Sequence, residues 1–75
     1  MNHVDKLKIT YKNGQVEIVG NREGLQLLAE VCMSLSELSD EEAKTTSASH
    51  YHFADYMNNA EKGSVPTKVV YRPDL

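Results

Sequence analysis

The chain has 75 residues, enough for one small domain spanning 1–75. A domain of that length buries only about 60% of its unfolded surface, too little to enclose a deep active site easily. Hydrophobic residues at 40% and charged residues at 25% exclude wholesale disorder, and a net charge of −3 with a pI of about 5.5 argues against nucleic-acid binding while suiting a basic protein partner.

The first element is a hairpin. In "LKITYKNGQVEIV" the pair Asn13-Gly14 tolerates positive φ at both centres of a two-residue turn. That turn sets Lys12 opposite Gln15, Tyr11 opposite Val16, Thr10 opposite Glu17 and Ile9 opposite Ile18. Leu7, Ile9, Tyr11, Val16 and Ile18 then share one face.

A helix follows, over about residues 21–38. Asn21 suits its N-cap and Glu23 its positive end. Leu25, Leu28, Ala29, Cys32 and Leu35 recur at helical spacing as the expected inner stripe, widened by Leu27, Val31 and Leu38. That apolar arc covers roughly 200°, more than one sheet face needs. The excess predicts either a covering connection, residues 54–65, or a second copy of the chain. Cys32 is expected to be a small core residue. A single cysteine also rules out an intrachain disulfide. The apolar run "LQLLAEVCMSL" is interrupted by Gln26, Glu30 and Ser34, so no membrane span is expected, and "MNHVDKLKIT" has no apolar signal core. The expected location is the cytoplasm.

The acidic run Glu37, Asp40, Glu41 and Glu42 reads as a solvated connection. Ser39 and Glu42 are spaced for a capping box that would start a short further helix. "SHYHF" then reads as an aromatic strand at 49–53, "ADYMNNAEKGS" as a connection with one helical turn ending near Gly63, and "PTKVVYR" as a last strand at 66–72 with Pro66 at its start. The order is ββαββ: an α+β fold with a four-stranded antiparallel sheet, strand order 2-1-3-4, and one long helix packed on one face.

Period-two alternation puts Tyr51 and Phe53 towards the helix and His50 and His52 on the opposite, open face. Three chemistries compete for that face. With Asp55 the histidines offer zinc-type ligands, centring a small metal-binding protein or metal-dependent enzyme, but no fourth ligand is evident. Ser47, Ser49, His50 and Asp55 include the residue types for nucleophilic catalysis, but no motif assembles them. The third reading is a protein-binding face made of His50, His52, Asp55 and Glu17, with Lys8 and Arg72 next. Histidine charge changes between pH 5 and 8, so binding through such a face would depend on pH. No cofactor is implied.

The succession Gly20-Asn21, Glu23-Gly24-Leu25, His50-x-His52 and Gly63-Ser64, spread over roughly residues 16–71, resembles the bacterial polymorphic-toxin immunity protein family numbered thirty-two. The segment "DYMNNAEKG" departs from it in being more polar. The resemblance implies a cytoplasmic binder that neutralises a secreted bacterial toxin domain, and no enzyme. The alternatives are the metal centre at His50, His52 and Asp55, and a homodimeric structural module.

Overall fold

The computed structural model describes residues 4–45 and 49–75; Ser47 lies outside them. Strands β1 (Leu7–Lys12) and β2 (Gln15–Gly20) form the expected antiparallel hairpin, with Lys12 opposite Gln15 and Ile9 opposite Ile18. Asn13 and Gly14 take φ of 55° and 77°, the double positive-φ turn whose twist matches the flanking strands.

Helix α1 runs from Arg22 to Ser36, two residues short of the expected C-terminus. Asn21 caps it: its Oδ1 accepts from the Gly24 N–H at 2.7 Å. The same side chain also fixes the chain entering β1. Oδ1 accepts from the Lys6 N–H at 3.0 Å, and Nδ2 donates to the Val4 carbonyl at 2.7 Å. Gly24 allows this junction to close, because a Cβ there would lie 2.0 Å from the Lys6 carbonyl oxygen. In an exposed helix Gly costs about 0.5–1 kcal/mol relative to Ala; here the clash with rigid backbone outweighs that.

The capping box forms. The Ser39 N–H donates to Glu42 Oε1 at 3.0 Å and the Glu42 N–H to Ser39 Oγ at 3.1 Å, opening the short helix α2 (Asp40–Thr45). Strand β3 (His50–Phe53) leads to a 3-10 turn at Asp55–Met57, and β4 is Thr67–Val70. The turn ends at Asn58, in the left-handed region at φ 59°, rather than near Gly63.

The sheet is the main departure from expectation. β1–β2 and β3–β4 are two separate antiparallel pairs, not one four-stranded sheet in the order 2-1-3-4. The free edge of β1 is already occupied by the approach to β4. The Glu61 N–H donates to the Leu7 carbonyl at 2.6 Å and the Val65 N–H to the Ile9 carbonyl at 2.8 Å. The Ile9 N–H donates to Ser64 Oγ at 3.1 Å. Those bonds take the central groups of the edge that β3 would have needed, and β3 pairs with β4 alone.

Leu7, Ile9 and Phe53 form the buried centre, with Leu27, Leu28, Val31 and Val69 packed on it. Helix α1 therefore bridges both hairpins. Its inner stripe is Gly24, Leu27, Leu28, Val31, Leu35 and Leu38. Leu25, Ala29 and Cys32, expected inside, are exposed. Leu27, Leu28 and Val31 pack on Leu7, Ile9 and Phe53, while Val16, Ile18 and Val19 of β2 stay exposed. The 54–65 connection covers the edge of β1 and leaves the flank of α1 open. Among the described residues no helix is long and apolar enough to cross a membrane.

Candidate partner-binding surface

Phe53 is 1% exposed, and it fixes the orientation of β3: with Phe53 inward and Tyr51 beside it at a ring separation of 4.9 Å, His50 and His52 turn to the other side. Their imidazoles meet edge to face, with centroids 4.9 Å apart and an interplanar angle of 83°. Across the pair, His52 lies opposite Lys68 and His50 opposite Val70. The Tyr71 N–H donates to the Ser49 carbonyl, so in antiparallel alternation these two histidine positions are the non-hydrogen-bonded kind, where side chains stand closest.

The remaining predicted residues do not join this pair in one cluster. Asp55 turns back to the connection, where Oδ2 accepts from the Gly63 N–H at 3.0 Å. Lys8 donates from Nζ to the Lys62 carbonyl at 2.8 Å. Glu17 is exposed on the other hairpin, opposite Thr10. Arg72 forms an ion pair with Asp74 at 3.2 Å just past the end of β4. That hydrogen-bonded pair holds the Asp74 carboxyl below, and the Arg72 guanidinium above, their ordinary values. Among the described residues no group of three or more His, Cys, Asp or Glu side chains is placed to hold a metal ion.

Two grooves flank the surface. One, of about 310 Å³, runs between α1 and β3; Leu27, Val31, Leu35 and Leu38 line its floor, with Glu30 and His50 among its polar members. The other, of about 500 Å³, lies at the end of β4 against α2 and carries Asp40, Lys44, Arg72 and Asp74. At its edge the Tyr71 hydroxyl donates to Asp40 Oδ1 at 2.8 Å, and that bond raises the Tyr71 pKa.

Sequence reasoning missed three residues that shape the surface. Asn59 bridges the end of β3: Nδ2 donates to the His52 carbonyl at 2.6 Å and Oδ1 accepts from the Ala54 N–H at 2.9 Å. Ser64, 5% exposed, gives its hydroxyl oxygen to the Ile9 N–H. Lys68 faces His52. Only Ser64 carried a signal, as part of the Gly-Ser pair before the last strand.

Fold and surface together describe a small α+β protein that offers open faces and shallow grooves. The family model for "Immunity protein 32" matches residues 15–73, and the chain belongs to that family. No curated protein and no solved structure matches it.

Proposed function

We propose that this protein is a cytoplasmic bacterial immunity protein that neutralises the toxin domain of a polymorphic toxin system by direct protein–protein contact, without catalysis. The observation that carries the reading is the family match over residues 15–73. The shape supports it: the molecule is a slab with extents of 37 × 36 × 19 Å, which offers broad faces for a macromolecule.

The contact surface in this reading is the outer face of β3–β4, with His50, His52 and Lys68 at its centre and Asp55 beside it. Arg72 extends it past the end of β4, and Lys8 and Glu17 extend it across the first hairpin. Lys68 is the charged group at the centre of this face, and Lys8, Arg72, Asp55 and Glu17 around it carry both signs, a pattern that a partner of complementary charge would read to set the register of docking.

The test uses the toxin domain encoded beside the gene. Co-expression should restore growth, and the purified pair should form a complex. His50→Ala/His52→Ala should weaken that complex by about 2 kcal/mol, roughly thirtyfold. It should move unfolding free energy by less than about 0.5 kcal/mol, as exposed strand positions do. A neighbouring toxin domain that neither binds nor is neutralised would overturn the proposal. So would stoichiometric zinc on His50 and His52 in the purified protein.

A further inference from the structure

The second hairpin protects its edges and the first does not. Asn59 closes the end of β3. β4 begins after Pro66 and turns the backbone of Lys68 outward, and both are devices that discourage strand addition. β2 carries one charge, Glu17, and no other such device. It has six residues, no Lys, no Pro and no break in register, and Gln15 to Val19 are all exposed. The Leu7 and Ile9 backbone groups point to residues 61–65, so by antiparallel alternation their partners Gly20 and Ile18, and Val16 after them, point away from β1 into solvent. On the same side as Leu7 and Ile9, the side chains of Tyr11, Val16, Ile18 and Leu25 are each at least 44% exposed. They continue the core into an uncovered apolar strip.

We propose that β2 pairs with β2 of a second copy, antiparallel about a two-fold axis at Ile18, to give a continuous four-stranded sheet in the order β1-β2-β2-β1. The sequence of β2 selects this register. Centred on Ile18, the pairing sets Ile18 against Ile18, Val16 against Gly20, and Glu17 against Val19 of the other copy, so all the outward backbone groups are used. Centred on Glu17, it would set two carboxylates directly opposite each other, which is destabilising. Centred on Val16, it would run into the Asn13-Gly14 turn. The strips of Tyr11, Val16, Ile18 and Leu25 then adjoin across the axis.

The exposed side chains agree: Tyr11, Val16, Ile18 and Leu25 form one apolar patch on the first hairpin, and a contiguous exposed apolar patch on a small domain marks an interaction surface that a second copy in this register would cover. This surface lies on the other hairpin from the histidine pair and shares only the outlying Glu17 with the face proposed above, so the Ile18 and histidine variants let either proposal fail without the other.

Sedimentation and light scattering of the full chain at micromolar concentration should give twice 8.4 kDa. Ile18→Lys, which sets two ammonium groups against each other at the axis, should weaken association at least tenfold while the circular dichroism spectrum persists. Register is tested separately, and survives a misfolded lysine variant. In a Cys32→Ser background, Ile18→Cys should form an intermolecular disulfide on oxidation, because bonded antiparallel pairs have Cα atoms about 5.5 Å apart. Val16→Cys should not, because its copies would be about 14 Å apart along the strands. A monomer throughout the micromolar range would overturn the proposal, as would a dimer indifferent to Ile18→Lys or cross-linking by Val16→Cys as ready as by Ile18→Cys.

Discussion

The two hairpins have similar strands and opposite ways of being held. β1–β2 is closed by two adjacent turn residues, and its register follows from them. β3–β4 has no tight turn. A long connection separates its strands, and that connection is pinned by groups far apart in sequence: Asn59 to His52 and Ala54, Asp55 to Gly63, and Ser64 to Ile9. The burial is shared rather than divided. Leu7 and Ile9 of β1 are 2% exposed and Phe53 of β3 1%, whereas Tyr11 at the turn end of the first hairpin is 63% exposed. A hairpin whose register is locally specified can project its turn end beyond the core. One that is specified by tertiary contacts depends on its anchor in the core.

The sharpest way to break this contrast is to remove one aromatic ring from each hairpin. Phe53→Ala should cost about 3–5 kcal/mol, a large part of the stability of so small a domain. Tyr11→Ser, at an exposed strand position, should change it by about 0.5 kcal/mol or less in the monomer. Denaturant melts of both variants decide the point; equal losses would mean that the turn end of the first hairpin is packed as tightly as Phe53.

A smaller effect tests the lacing between the hairpins. Ser64→Ala removes the acceptor for the buried Ile9 N–H, and an unpaired buried donor costs about 1–3 kcal/mol. Amide exchange should accelerate most at Ile9. Protection at Thr10 and Lys12, which bond to β2, should fall only as far as global stability falls.

The gentlest test uses pH and reports on α2, which touches the end of β4. Glu42 has its pKa lowered from 4.5 by the Ser39 backbone bond and then by the Ser39 hydroxyl. Its contribution is therefore present above 4.5 and lost as pH falls through the lower folded value. Tyr71 has its pKa raised from 10.0, chiefly by the bond to Asp40. Its contribution is full below 10.0 and lost as pH rises through the higher folded value. Helicity from α2 should thus fade at both extremes, and Tyr71→Phe should remove only the alkaline change. If the alkaline change survives in that variant, the Tyr71–Asp40 bond is not its source.

The candidate site was legible only in part. The alternation in "SHYHF" placed both histidines on one face, and Phe53 enforces it. Which side chains gather around them was not legible. Asp55 is three residues from His52 in sequence, but its carboxylate bonds to Gly63 in the connection. Lys68 is remote in sequence and lies directly opposite His52. Pairing across a long connection is set by where the chain returns, and no local pattern encodes that.

By itself the sequence determined what short-range chemistry determines: the hairpin through Asn13-Gly14, the helix start through Asn21, the second helix through Ser39 and Glu42, and the inward and outward faces of β3 through period two. The tertiary structure decided what depends on competition for shared partners. The free edge of β1 went to Glu61, Ser64 and Val65 rather than to β3, because those groups lie on the path into β4 and take the Leu7 carbonyl and both Ile9 backbone groups. The facing of α1 was decided there too. The core it covers is made by Leu7, Ile9 and Phe53 together, so Leu27, Leu28 and Val31 packed on them while Leu25, Ala29 and Cys32 stayed in solvent.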